Sequence, residues 1–160
     1  MASDPSTDDS KSNGVIITGQ WTTKPGPNKD VSGKETSIIW QPMYLLNGMD
    51  KLITTSGVGN GEWFQFRESG YYKIEVMIGL IIESSSDWAW IRVRDSKEKK
   101  VKAFAVTGKG CYATASGSFI LKVEKNYSIK MTYESAKLYT EMNNDYCDGI
   151  LNTILITKIS

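Results

Sequence analysis

The chain has 160 residues, which suits one domain large enough to bury a hydrophobic core. Its 19 basic and 18 acidic residues leave a formal net charge of +1, too little to draw the protein toward nucleic acid or an anionic membrane. Histidine is absent, which excludes Ser-His-Asp and Cys-His nucleophiles and HExxH zinc sites, so we expect neither an enzyme nor a cofactor.

The first 14 residues are rich in Ser, Asp, Asn and Pro and offer little to bury. We expect a flexible polar arm over residues 1–14 and a single domain over residues 15–160. The start of the chain lacks the basic residues and apolar core of a signal peptide, and no apolar run approaches the roughly 20 residues of a membrane span. We therefore expect cytoplasmic synthesis, with a virion as the final location if the protein is viral.

Short strand patterns separated by turn residues fill the first third of the domain. Strands are predicted over residues 15–21, 37–40, 43–46 and 52–55. Asn47-Gly48 is a strong turn dipeptide between the last two of these strands. The segment 24–30 contains two prolines and a glycine, so it is predicted to be a loop.

A long strand follows the aromatic strand 63–66. From residue 70 the pattern puts Tyr72 and three aliphatic residues on one face, which is predicted to be buried. Tyr71 and Met77 fall on the opposite face of the same strand. We predict that a neighbouring copy of the chain packs against these two side chains.

The strand over residues 87–94 has the sharpest local pattern in the chain. Three small or aliphatic residues alternate toward the core, and the other face carries Trp88, Trp90, Arg92 and Arg94. Trp and Arg are the residues most enriched in binding hot spots. We interpret this face as a subunit or partner interface. An outer face covered by the N-terminal arm and a platform for a sugar or nucleobase are the alternatives.

The second half continues as strands. They are predicted over residues 101–106, 117–123 with Phe119, Leu121 and Val123 inward, 127–133, and 150–159. Residues 135–142 are predicted to form a short helical turn or a loop. About ten strands, turn signals every 8–12 residues and no amphipathic helix indicate an all-β sandwich or barrel.

Oxygen-bearing side chains crowd one loop near the C-terminus and are a weak candidate for a calcium site. They are Glu141, Asn143, Asn144, Asp145 and Asp148. Their spacing does not match an EF-hand loop, so an ordinary polar turn is the alternative. No other metal site is predicted. Two cysteines are too few for a disulfide scaffold, and they are expected to be free thiols.

Several elements of the chain together resemble one known fold family. They are Phe66, Gly70, Tyr72 and Ile74 around the long strand, the small-residue, strand, turn and strand sequence of 115–129, and the glycine-led aliphatic strand 149–159. Over about residues 63–159 this pattern resembles the C1q/TNF-like jelly roll. The resemblance implies a jelly-roll β-sandwich of about ten antiparallel strands. It also implies a homotrimer around an axis lined by aromatic and aliphatic side chains.

Two functional hypotheses follow. The first is a non-enzymatic, self-assembling structural protein, a virion or particle component (capsid, decoration or spike) built from trimeric jelly rolls. The alternative is a trimeric C1q/TNF-like module that binds a receptor or a glycan. The slightly acidic arm argues against a role in condensing packaged nucleic acid, which requires many Lys and Arg. Glycoside hydrolysis needs a pair of carboxylates, and the sequence indicates no such pair.

Overall fold

The computed structural model describes residues 15–24, 34–108, 112–140 and 152–160, and these residues form two packed antiparallel sheets. The first sheet consists of β1 (Thr18–Thr22), β3 (Gln41–Leu46), β6 (Gly70–Ile82), β9 (Tyr112–Val123), β11 (Ala136–Leu138) and β12 (Thr153–Lys158). The second sheet consists of β2 (Thr36–Ser37), β4 (Ile53–Ser56), β5 (Trp63–Phe66), β7 (Trp88–Asp95), β8 (Lys100–Thr107) and β10 (Tyr127–Glu134). One helical turn, α1 (Met49–Leu52), and a 3-10 turn at Val58–Asn60 lie between strands.

Strands distant in sequence are neighbours in both sheets. In the first sheet β6 pairs with β9 along one edge and with β12 and β11 along the other, and β12 leads on to β1 and β3. In the second sheet the order is β4, β5, β10, β7 and β8, with β2 pairing beside β5 on the same edge of β10. The predicted all-β jelly-roll sandwich is confirmed.

The long strand β6 is the centre of the first sheet, and its predicted alternation is confirmed. Tyr72, Ile74, Val76 and Ile78 are buried, whereas Tyr71 and the other alternate residues face outward. Since β6 is flanked on both edges, its inward side chains meet the second sheet from the middle of the first. Burial of each large apolar side chain of this kind stabilises the fold by about 1.5–3 kcal/mol.

Aromatic pairs join the two sheets inside the core. Trp21 of β1 meets Phe64 of β5 edge to face, with ring centroids 5.2 Å apart. Phe66 of β5 meets Tyr72 of β6 at 4.7 Å. Edge-to-face contacts align the positive ring edge with the negative ring face, so they fix orientation as well as burying area.

Residues 136–138 differ from the prediction. This stretch forms strand β11 instead of a helical turn or loop, because β12 pairs with β6 only up to Met77. The rest of that edge of β6 is open, and Ala136–Leu138 pairs with residues 80–82 there. With β2 and β11, the described residues contain twelve strands where about ten were predicted.

One side of the sandwich closes where β8 approaches β9. Phe104 and Phe119 are 6.1 Å apart, and a Cβ atom on Gly117 would lie 2.1 Å from the Phe104 ring. Leu121 and Val123 are buried as predicted, and Phe119 is half-buried against Phe104. The arm at 1–14 lies outside the described residues, so the predicted domain boundary stays a prediction.

Candidate binding surfaces

One outward surface of the second sheet, called here the tryptophan face, consists of Trp88, Trp90, Arg92 and Arg94 on β7. Their neighbours in sequence on β7 are buried, as the alternation predicted. Trp88 and Trp90 are 53% and 37% exposed. On the β8 side, register sets the small residues Ala105 and Thr107 beside these indoles, whereas Glu134 of β10 lies opposite Trp90.

The two arginines of the tryptophan face are held within the chain. Arg94 binds Glu35 through two nitrogens, with Nη2 donating to Oε1 at 2.9 Å and Nε donating to Oε2. Arg92 donates to Glu134 and lies 3.6 Å from Glu35, and its guanidinium is 5.4 Å from the centre of the Trp90 ring. Because these charges are paired internally, the tryptophan face presents its indoles more than its cations.

Glu35 is the anionic centre of this network. The hydrogen bond from Arg94 lowers the pKa of Glu35 from 4.5 to about 2, against an opposing effect of burial, and Thr132 Oγ1 donates a further bond at 2.7 Å. The same contact with Glu35 raises the pKa of Arg94 above its ordinary value. No motif or alternation pattern points to Glu35, which lies 59 positions before Arg94.

Tyr71 and Met77 lie on the other sheet. They belong to β6, so the structure separates the six predicted interface residues into two surfaces on opposite sides of the sandwich. Both side chains are exposed, at 44% and 42%. The predicted interface residues therefore cannot form one contiguous patch within a single chain.

The outward surface of the first sheet is called here the apolar face. It consists of Tyr71 and Met77 together with Tyr44, Leu46, Ile120 and Leu155. The strand register places these residues on one surface that extends across the sheet. Ile120 lies opposite Lys73, Leu155 lies opposite Glu75 and Gln20, and Tyr44 lies opposite Gln20. Tyr44, Leu46, Ile120 and Leu155 were not among the predicted interface residues, although alternation along β9 and β12 gives the outward direction of Ile120 and Leu155.

Charge is sparse on the apolar face. Strands β1 and β3 contain no charged residue, and the outward residues of β12 are Thr153, Leu155 and Thr157. On β6, Lys73 and Glu75 pair at 3.8 Å. Lys122 of β9 lies with its Nζ 5.9 Å from the centre of the Tyr71 ring. The apolar face therefore combines exposed hydrophobic groups with nearly balanced charge.

The predicted calcium loop, including Asp145 and Asp148, lies outside the described residues. Across 15–24, 34–108, 112–140 and 152–160 there is no group of three or more His, Cys, Asp or Glu side chains arranged to hold a metal ion. Within the same ranges, no helix has the length and apolar character required to cross a bilayer.

Comparison with known proteins relates the chain to others at the level of the fold. No protein-family model matches the sequence, and no curated protein matches it significantly. The crystal structure of murine APRIL at pH 5.0 matches with a TM-score of 0.66 at 10% identity, covering 91% of this chain and 100% of that chain. The structure of Eiger TNF from S. frugiperda matches with a TM-score of 0.64 at 11% identity, covering 91% of this chain and 93% of that chain.

These matches cover nearly the whole of each chain, so they concern the whole two-sheet sandwich and not one part of it. At identities of 10–11% they concern the fold alone. The chain has a jelly-roll β-sandwich fold similar to those of murine APRIL and Eiger TNF.

Proposed function

We propose that this protein is a non-enzymatic TNF-like module that self-associates into a homotrimer through its apolar face. The observation that carries the proposal is a row of exposed large hydrophobic side chains across the first sheet. Five of them, Tyr44, Leu46, Tyr71, Met77 and Ile120, are between 40% and 63% exposed. Several exposed large hydrophobic side chains on one sheet face support an interaction site there, and the charged Lys73 and Glu75 among them form an ion pair.

The charge distribution supports association between copies. Burying an unpaired charge at an interface is costly, and the apolar face carries few charges, with Lys73 and Glu75 already paired. A stable interface needs about 800 Å² from each partner, an area that several strands of one sheet can supply. The C1q/TNF-like resemblance supports three copies, since such jelly rolls commonly pack around an axis lined by aromatic and aliphatic groups.

Two features support a non-enzymatic role. The sequence has no histidine, and the described residues hold no group of three or more His, Cys, Asp or Glu side chains arranged to bind a metal ion. The carboxylate with a large pKa shift, Glu35, is engaged by Arg94 and Thr132, as expected of a structural ion pair.

The test is the solution mass of the full chain by sedimentation equilibrium and multi-angle light scattering. A trimer has a mass of about 53 kDa, since one chain is 17.8 kDa. We expect this species at micromolar concentration. A monomer at about 100 µM would refute the proposal, because it corresponds to an affinity too weak for a stable assembly.

Three single variants locate the interface. Met77→Lys and Ile120→Lys put a charge on the apolar face, and each is expected to weaken association at least about tenfold. Trp88→Lys is the matched control, because it puts the same charge at an exposed position on the tryptophan face. If Trp88→Lys dissociates the assembly and the other two variants do not, the interface lies on the tryptophan face and the proposed surface is wrong.

The virion or particle role predicted from the sequence implies a different solution mass from that of the proposed trimer. A capsid or occlusion protein is expected to form large shells or arrays that electron microscopy detects, whereas a binding module stops at a closed ring. We favour the binding module, because the apolar face is confined to one sheet and a closed ring can bury it completely.

We further propose that the tryptophan face binds the partner of this module, a receptor or a glycan. Exposed indoles beside small neighbours support this role, since Trp is enriched in binding hot spots. A glycan array and a binding screen against cell-surface proteins should each be run with wild type and with Trp88→Ala/Trp90→Ala. A partner that binds both proteins equally would place recognition elsewhere.

A further inference from the structure

A cavity of about 530 Å³ opens between the two sheets, near the end of β1 and beside β2 and β11. Its apolar walls include Ile39, Trp40 and Leu138. The volume falls within the range of about 300–1,000 Å³ typical of small-molecule sites. None of the residues that form the apolar face or the tryptophan face belongs to the lining of this cavity.

Glu62 supplies a negative charge to the cavity lining. Its carboxylate accepts hydrogen bonds from Ser37 Oγ at 2.8 Å and from the backbone N–H of Val58 at 3.3 Å. Lys130 Nζ lies 3.9 Å from Glu62 but 3.2 Å from Glu98, so the lysine is shared between two carboxylates. Among the described residues, Glu62 therefore shares its nearest cation with a second carboxylate.

Lys24 supplies a positive charge to the same cavity. It follows the end of β1, is exposed to solvent, and makes no ion pair with any of the residues that the structure describes. One cavity thus carries a carboxylate and an ammonium group around an apolar wall. A ligand bearing a single charge would be attracted by one of these groups and repelled by the other.

Trp40 adds an independent observation. Its indole Nε1–H is buried and has no hydrogen-bond partner within the described part of the chain. A buried polar group without a partner costs about 1–3 kcal/mol, so such groups normally have a protein, water or ligand partner. Because Trp40 lines the cavity, a small movement of its ring on ligand binding would bring this donor within reach of an acceptor atom there.

We propose that this cavity binds a small zwitterion with an apolar side chain, namely a hydrophobic α-amino acid or a compound of the same chemistry. The ammonium group of the ligand pairs with Glu62. Its carboxylate faces Lys24 and accepts from the Trp40 indole. The apolar side chain packs against Ile39 and Leu138. This chemistry matches both charges, the unpaired donor and the apolar wall with one molecule.

Isothermal titration calorimetry of the full chain with three probes tests the proposal. L-Phenylalanine carries both charges, 2-phenylethylamine only the ammonium, and 3-phenylpropanoate only the carboxylate. We expect L-phenylalanine to bind with a Kd in the millimolar range or below, and more tightly than either of the others. Absence of L-phenylalanine binding at about 10 mM would overturn the proposal, as would equal binding of all three probes.

A matched pair of variants locates the ammonium group. Glu62→Gln keeps the shape of the side chain and removes the charge, and we expect it to weaken L-phenylalanine and 2-phenylethylamine about fivefold. Glu98→Gln is the control, because Glu98 shares Lys130 with Glu62 but is absent from the cavity lining. Equal effects of the two variants would contradict the assigned position.

A spectroscopic measurement tests the contact with the indole. In a ¹H–¹⁵N correlation spectrum, the indole N–H signal that is lost in Trp40→Phe belongs to Trp40. Titration with L-phenylalanine is expected to shift this signal downfield, as a new hydrogen bond forms, and to leave the indole signals of Trp88 and Trp90 in place. A titration that shifts those two signals and not that of Trp40 places the ligand on the tryptophan face and overturns the proposal.

Discussion

The Asn152 side chain bridges a gap in the hydrogen-bond ladder of the first sheet. We expect its removal to destabilise the fold measurably. On one edge of β6, pairing with β12 ends at Met77 and pairing with β11 begins at Leu80. Between these points the backbone N–H of Gly79 donates to Asn152 Oδ1 at 2.8 Å. Asn152 Nδ2 donates to the carbonyl of Tyr139 at 2.6 Å. One side-chain amide thus replaces the missing bond of the ladder.

The cost of Asn152→Ala follows from these contacts. Asn152 is 2% exposed, and the variant leaves the Gly79 N–H and the Tyr139 carbonyl without their side-chain partner. Each such loss costs about 1–3 kcal/mol, so the two losses should lower the free energy of unfolding by about 2–6 kcal/mol. For a domain of this size, the melting temperature should fall by about 4–24 °C.

Equilibrium unfolding in urea, followed by circular dichroism and tryptophan emission, measures this difference. Thr36→Ala is the control, since the Thr36 hydroxyl donates to the carbonyl of Lys34 at an exposed position. The control should lower the free energy of unfolding by less than about 0.5 kcal/mol. The reasoning is refuted if Asn152→Ala costs no more than Thr36→Ala, because the amide would then contribute nothing to closing the gap.

Three further predictions concern single side chains. Gly117→Ala would set a Cβ 2.1 Å from the Phe104 ring, so it should lower the free energy of unfolding by about 2 kcal/mol. The control is Ser118→Ala at an exposed position, which should lower the free energy of unfolding by less than about 0.5 kcal/mol. Equal losses in urea melts would contradict this packing. The Glu35 carboxylate stabilises the fold fully above its ordinary pKa of 4.5, and this contribution is lost as the pH falls toward about 2. Glu35→Gln should therefore be less stable than wild type by about 1 kcal/mol at pH 6 and similar to wild type near pH 2. A difference in stability that does not change with pH would argue against the ion pair. Burial raises the pKa of the Tyr72 phenol to about 12, so the stabilising contribution of the neutral phenol is present below pH 10 and is lost as the pH rises toward 12. In an ultraviolet difference titration of tyrosine ionisation, the step at the highest pH should be absent from Tyr72→Phe.

Local alternation explains why much of the fold was predictable. The side chains of a strand point to opposite faces whatever its partners are, so the buried face of β6 and the outward direction of Trp88 and Trp90 follow from the order of residues alone. The same rule fails for β11, since a three-residue segment has too few positions to show a period. Its strand conformation is decided by the open edge of β6 beside it.

The candidate surfaces required the tertiary structure for a different reason. Tyr71 and Trp88 both point away from the core, and only the strand order shows that they lie on opposite sheets. The ion pair that engages Arg94 depends on Glu35, a residue that lies outside any motif and 59 positions away in the sequence. The cavity depends on side chains from several separate elements, so no sequence window contains its charges together.

The sequence by itself determined the all-β class, the strand that forms the centre of the first sheet, and the face of each long strand that is buried. These properties depend on neighbours one and two positions apart, where strand geometry is fixed. The tertiary structure alone decided which outward faces belong together, which charges are paired, and where Asn152 and the cavity lie. Those depend on contacts between residues far apart in the chain, such as the 73 positions that separate Gly79 from Asn152.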